Sequence, residues 1–110
     1  MSGRNRYETF KRNNLLVDII FQHKGSQNAI GTQELAHALN ERGYSVKPDG
    51  IHLIVTKIVF ERRLPICSMV HKGYYWGTSK QDIQNAIDEL QCKIQGLQER
   101  IDLLKSFICE

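Results

Sequence analysis

The sequence is poor in the residues that cross-link a chain or interrupt its regular structure. Only two of its 110 residues are proline and three are cysteine. Cys67, Cys92 and Cys109 form no CxxC pair, so their spacing does not match a zinc site, and three thiols cannot all pair within one chain. Reduced thiols are typical of the cytoplasm. We therefore predict a cytoplasmic protein with no metal ion and no cofactor.

Long apolar runs are also lacking. No run approaches the roughly 18 residues that a membrane-spanning helix needs, and residues 1–12 contain no apolar core of a signal peptide. We therefore expect no association with a membrane and no export. With 41% hydrophobic and 25% charged residues, the chain is long enough for one domain with a modest core.

Positive charge is concentrated towards the start of the chain. Residues 1–79 contain 11 Lys and Arg against 6 Asp and Glu, whereas residues 80–110 contain 4 against 6. Residues 1–12 hold four cations and one acid, which predicts a flexible basic arm able to lie along a phosphate backbone. The plainer alternative is a solvated terminus without a ligand. The four cations are Arg4, Arg6, Lys11 and Arg12.

Two helices and a short strand are predicted before residue 44. Apolar residues at helical spacing predict a first helix from about Thr9 to Lys24, with Leu15 as an alternative start. Ala29 and Ile30 form a short apolar pair between turn residues, which indicates a strand that pairs with a later sheet. Thr32 is expected to cap a second helix that ends before Gly43.

A third helix and a hairpin follow. Pro48 suits a first helical turn, and Ile51, Val55, Ile58 and Arg62 recur at the spacing of one core-facing side, so we predict a helix that ends before Pro65. Two short strands, Ile66 to Val70 and Tyr74 to Gly77, flank a tight turn. We expect at least one of the aromatic residues 74–76 to be buried, and Cys67 to be a small buried hydrophobe.

The last predicted helix, from about Lys80 to Ile108, carries an uninterrupted heptad pattern. Isoleucine at position a and mostly leucine at position d favour two parallel strands, so we predict a homodimer. A helix of about 29 residues spans roughly 43 Å, longer than a body of some 80 residues is wide, which disfavours packing within the chain. The predicted dimer residues are Ile83, Ile87, Leu90, Ile94, Leu97, Ile101, Leu104 and Ile108.

Together these elements predict a mainly α fold with a small β-hairpin wing. We expect an arm over residues 1–12, a winged helix-turn-helix domain over residues 13–79 and a C-terminal coiled-coil dimerisation helix over residues 80–110. Three segments, GSQNAIGTQELAHAL, LPICSMVHKGYY and the heptad tail, resemble a group of small winged helix-turn-helix proteins of bacteriophages and prophages. The resemblance implies binding to double-stranded DNA and a role in phage transcription or replication.

Helical geometry identifies the side chains that the third helix would present to DNA. With the core face fixed, Asp49, Leu53, Thr56 and Phe60 point outwards, and other polar residues lie on the flanks. The predicted DNA contacts outside the arm are Lys47, His52, Thr56, Lys57, Arg63, His71 and Lys72. Leu53 and Phe60 suit a protein groove better than phosphate, so the alternative hypothesis is an adaptor or inhibitor that binds a protein there.

No catalytic constellation is evident in the sequence. Cys67 and His71 are the only nucleophile and base close together, and no third partner accompanies them. Gly77 to Lys80 has its lysine after the hydroxyl residues, unlike a phosphate-binding loop, so Thr78 and Ser79 are interpreted as helix caps. We therefore expect a binding protein, not an enzyme.

Overall fold

The computed structural model describes residues 6–108, which are mostly helical. The helices are α1 (Arg6–Phe21), α2 (Thr32–Glu41), α3 (Pro48–Arg62) and α4 (Lys80–Ser106). Strands β1 (Ile66–Met69) and β2 (Gly73–Trp76) form an antiparallel hairpin with Ile66 opposite Trp76. The expected mainly α fold with a small hairpin and a long last helix is therefore confirmed. Within residues 6–108, no helix has the length and apolar character needed to cross a membrane.

Helix α1 begins three residues before the predicted Thr9. No Gly or Pro interrupts residues 6–21, and the Lys11 ammonium lies 4.9 Å from the centre of the Tyr7 ring, one helical turn away. The segment expected to be an arm is therefore helical from Arg6 onwards, and Arg6, Lys11 and Arg12 lie on α1. Arg4 lies outside the described residues.

The core forms where α1, α2 and α3 meet. Ile51, Val55 and Ile58 are buried, which confirms the predicted inner face of α3. Burying a Val, Leu or Ile side chain contributes roughly 1.5–3 kcal/mol, so this small set of residues supplies most of the driving force for folding. From the other two helices come Leu16 and Ile20 of α1 and Leu35, Ala36 and Leu39 of α2.

Arg62 was expected on the core face but lies at its rim. Its guanidinium donates a hydrogen bond of 2.7 Å to Asn14 Oδ1 and lies 5.4 Å from the centre of the Phe10 ring. A charged group keeps such contacts with polar and aromatic partners because full burial removes its hydration. Arg62 therefore links α3 to α1, and Asn14 is an interior residue of α1, not a cap.

Helix α2 starts one residue away from the prediction. Gly31 is the N-cap, and the Glu34 carboxylate accepts a hydrogen bond of 3.3 Å from the Gly31 N–H. Thr32, predicted to be the cap, is the first residue of the helix. The side chain that reaches back to the helix start is therefore Glu34 in the first turn.

Ile30 joins the hairpin as a third paired segment. Its N–H donates to the Tyr74 carbonyl at 2.8 Å, and the Tyr74 N–H donates back to the Ile30 carbonyl at 2.9 Å. Strand β2 therefore lies between β1 and the segment that leads into α2, as the Ala29–Ile30 pattern predicted. Tyr74 and Tyr75 are buried, and Cys67 is buried opposite Tyr75, which confirms the predicted core roles.

Gly73 permits the turn and this pairing together. Its φ of +113° follows a φ of +66° at His71, so the chain passes through two left-handed conformations in the turn. A Cβ at position 73 would fall on the backbone of Ile30 and Gly31. A side chain is therefore excluded both by backbone conformation and by the close approach of the two segments.

We expect Gly73→Ala to lower the free energy of unfolding by more than about 2 kcal/mol, because it adds a backbone clash to left-handed strain. The matched control is Gly43→Ala, since Gly43 has a φ of +93° and nothing within 4 Å of an added Cβ. Urea denaturation followed by circular dichroism measures both variants. Equal losses would show that the close approach contributes nothing.

The start of α4 is fixed to the hairpin by a network around Asp82. The Ser79 hydroxyl accepts a hydrogen bond of 3.1 Å from the Asp82 N–H, as expected of a cap. The Asp82 carboxylate accepts from the Thr78 N–H at 3.0 Å and from its hydroxyl at 3.1 Å, and the backbone bond from Thr78 is the main cause of the lowered pKa of Asp82. The Tyr75 hydroxyl donates to the Asp82 carbonyl at 3.2 Å. Burial raises the pKa of Tyr75 to about 12, so this donor keeps its proton.

We expect Asp82→Ala to lower the melting temperature at neutral pH, because it removes the acceptor of both Thr78 bonds. A carboxyl whose pKa is lowered by folding stabilises the protein above its unfolded pKa, and this stabilisation is lost as the pH falls through the folded pKa. The difference from wild type should therefore shrink below about pH 4. Thermal melts at neutral and acidic pH measure it, with Asp88→Ala as the control on an exposed face. A difference that does not change with pH would contradict the role given to the carboxylate.

Candidate nucleic-acid interface

The outer face of α3 is apolar at its centre. Leu53 is 73% exposed and Phe60 is 79% exposed, because their positions are opposite Ile51, Val55 and Ile58 on the helix. His52 and Lys57 are exposed on the flanks of this face, and Thr56 is exposed on its outward side, as predicted. The Thr56 hydroxyl donates back to the His52 carbonyl at 2.8 Å, which fixes its orientation.

A cleft of about 610 Å³ lies beside this face, between α3, the hairpin turn and the first turn of α2. It brings together three predicted contacts that are distant in sequence, His52, His71 and Lys72. The His52 imidazole is held 3.1 Å from the Tyr74 hydroxyl. The first N–H groups of a helix have no partner within it and carry the positive end of its dipole, so the α2 terminus adds to the positive potential here.

Two carboxylates reduce the charge of this cleft. Glu34 of α2 and Glu89 of α4 line it together with Lys72 and Lys93, and the Lys93 ammonium lies 4.0 Å from the Glu89 carboxylate. With the imidazoles neutral, the two lysines and two glutamates cancel. Any attraction for phosphate on this side therefore depends mainly on the wing tip, where Lys72 is exposed.

A second groove of about 620 Å³ lies on the other side of the α3 face, between α1 and α3. Arg6, Arg12 and Lys57 line it, so the structure brings these predicted contacts together as well. Glu61 is also present, and Phe10 and Leu53 supply the apolar lining. Arg12 is partly engaged, since its guanidinium donates to Asn13 Oδ1 at 2.8 Å.

Besides Thr56 on the outer face of α3, three predicted contacts line neither cleft. Lys11 stacks on Tyr7, and Lys47 is the exposed residue just before α3. Arg63 ends α3 in a left-handed conformation, with a φ of +55°, roughly 16 Å along the helix axis from His52.

The first turn of α2 was not predicted to line the cleft that contains His52, His71 and Lys72. The residues concerned are Thr32 and Gln33. The predicted strand at Ile30 could have indicated this, because pairing Ile30 with the hairpin places the start of α2 next to the hairpin turn.

The chain matches no family model, no curated protein and no solved structure. The geometry and charge of these surfaces are therefore the basis for any functional interpretation.

The heptad face of α4 is uncovered in the protomer. Its residues range from 36% exposed at Ile83 to 82% at Ile108, and every residue from Leu90 to Ile108 is classed as exposed. Only the first part of the helix packs on the body, through half-buried Asp82, Ala86 and Glu89. Within the described residues the helix therefore does not pack along α1, which was the alternative to dimerisation. Cys92, which lies outside the seam, is also exposed.

The thiol in the hairpin is poorly placed for nucleophilic chemistry. Cys67 is 5% exposed and burial raises its pKa, which disfavours the reactive thiolate, while His71 is exposed at the turn. Among residues 6–108 no group of three or more His, Cys, Asp or Glu side chains is arranged to hold a metal ion.

Proposed function

We propose that the protein is a dimeric winged-helix DNA-binding protein, a regulator of phage or prophage transcription or replication. The order of elements supports the winged-helix part: a helix, a paired segment at Ile30, two packed helices, then a hairpin whose second strand pairs with Ile30. In that arrangement α3 is the recognition helix and the turn at residues 70–73 is the wing. The phage setting comes from the sequence resemblance.

The observation that carries the proposal is the placement of cations on both sides of α3. Lys72 lies on one side, with the His71 imidazole beside it, and Arg6 and Arg12 lie on the other. A helix in the major groove is flanked by two phosphate backbones across a groove about 12 Å wide. Cations on both flanks suit this position because each group faces its own strand.

The exposed residues of α3 would then meet the base edges. His52, Thr56 and Lys57 supply hydrogen-bonding groups for these edges. Lys47, just before the helix, is placed to contact a phosphate. The proposal is one of binding and contains no catalytic step.

The uncovered seam of α4 supports the dimer. Seven apolar residues on one face of a helix of 27 residues, continued by Ile108 just after it, require a partner, and isoleucine at a with leucine at most d positions favours a parallel pair. A parallel pair holds the two domains that precede α4, here called the heads, at the same end of the coil. The dimer would therefore contact two half-sites related by its twofold axis.

We expect the protein to bind a random 30-base-pair duplex with a log–log salt slope of about 4 or more, because each phosphate contact releases counterions. Fluorescence anisotropy at several salt concentrations measures the slope. Lys72→Ala should reduce it by about 1 per head, whereas Lys105→Ala, in the distal part of α4, should leave it unchanged. The absence of binding at low salt would contradict generic phosphate binding.

Leu53 and Phe60 favour a second candidate function, an adaptor or inhibitor that binds a protein through the apolar centre of α3. Both side chains are more than 70% exposed on the same face of α3, two helical turns apart, and exposed apolar surface of this kind is typical of docking surfaces. This candidate uses the same fold but not the flanking cations.

The double variant Leu53→Ser/Phe60→Ser distinguishes the two functions. Under DNA binding it should keep the duplex affinity and salt slope of wild type, since the phosphate contacts come from the flanks. Under protein docking, a partner retained by the wild-type protein should be lost by this variant and kept by Lys72→Ala. Anisotropy and a pull-down with all three proteins measure both properties, and loss of duplex binding in the serine variant would contradict the assignment of phosphate contacts to the flanks.

A further inference from the structure

The apolar face of α4 becomes much wider near its distal end. At 100° per residue, the seam residues Leu97, Ile101 and Leu104 fall within roughly 60° of the helix circumference. Leu103 and Phe107 extend this apolar sector to roughly 160°. They are 57% and 69% exposed in the protomer, so no described element covers them.

The same heptad positions are polar or small in the preceding turns. Position c is Glu89, then Gly96, and finally Leu103. Position g is Lys93, then Arg100, and finally Phe107. The change occurs at both positions within one heptad, so it is confined to the distal end of the coil.

A two-stranded coil does not account for this sector. Its seam covers positions a and d and part of e and g, whereas position c faces outwards. Leu103 would stay exposed in the dimer proposed above, next to the flank of Phe107. A helix with an apolar sector this wide contacts more than one neighbouring helix.

We propose that two dimers join through the distal ends of their coils, so that Leu103 and Phe107 of four helices form a short four-helix bundle. This inference rests on the dimeric coil of the proposed function. The two coils meet tail to tail, with the heads at opposite ends of the assembly. The assembly stops at two dimers and does not continue into a fibre, because the same residues of each dimer meet about a twofold axis.

A second dimer fits this patch better than a charged partner does. Among residues 6–108, the charged side chains near this patch are Glu99, Arg100, Asp102 and Lys105, two of each sign. This balance gives no attraction for an anionic membrane or nucleic acid, while an antiparallel contact allows opposite charges to face each other. Four Phe107 rings bury on the order of 500 Å² and four Leu103 side chains add a similar area, close to the ~1,000 Å² of a specific interface.

The variant Leu103→Gln/Phe107→Gln tests the contact, since glutamine preserves helix propensity while removing the apolar surface. The control is Ser106→Gln, which changes an exposed residue on the solvent face of the same turn. Leu97→Lys places a charge in the seam and reports on the coil itself. Sedimentation equilibrium of the full chain across the micromolar range gives each mass, and circular dichroism verifies that each variant is helical.

We expect wild type and the control to sediment at four times the protomer mass of 12.7 kDa, and Leu103→Gln/Phe107→Gln at twice that mass. The mass of the Leu97→Lys variant should be lower than that of either the tetramer or the dimer. A wild type that stays dimeric would overturn the tetramer and leave the DNA-binding dimer standing. A monomeric wild type would overturn both, and a tetrameric glutamine variant would show that the contact lies elsewhere and overturn the inference.

Discussion

The two backbone hydrogen bonds between Ile30 and Tyr74 hold α2 against the hairpin. They join positions 44 residues apart and fix the segment that leads into α2 against the hairpin. Because α2 starts at the next residues, its first turn is placed beside the turn of the hairpin. The cleft that contains His52, His71 and Lys72 exists only because of this pairing, and the pairing depends on Gly73, where any side chain would displace the Ile30 backbone.

Periodicity made much of this architecture predictable. The spacing of Ile51, Val55 and Ile58 was sufficient to orient α3, and the strand residue Ile30 was recognisable between its turn residues. What the sequence did not reveal were local boundaries and polar contacts. Helix α1 starts early because contacts one turn apart, such as Lys11 with Tyr7, support it, and Arg62 leaves the core to reach Asn14, which is 48 residues away in the chain.

The candidate site was predictable as a set of residues but not as an arrangement. Sequence spacing gave the exposed face of α3, and the structure adds that the cations lie in two separate grooves beside it. The opposing carboxylates were not predictable, because Glu34 and Glu89 come from α2 and α4 and only tertiary packing brings them to Lys72. A count of basic residues therefore overstates the positive potential of the wing side, whereas the groove on the α1 side is lined by four cations, Arg6, Arg12, Lys57 and Arg62, against Glu61.

Helix α4 is attached to the body only at its start, where Tyr75 and the Asp82 network hold it. Its distal apolar residues are therefore not part of the core of their own protomer, and burying them requires contact with another chain, which the proposed assembly supplies. A narrow seam is satisfied by one partner, whereas the wide sector at Leu103 and Phe107 needs more. In a tail-to-tail tetramer the heads form two pairs at opposite ends, roughly two coil lengths apart. Each pair would bind its own stretch of duplex, so the assembly would join two DNA segments without any further contact between heads.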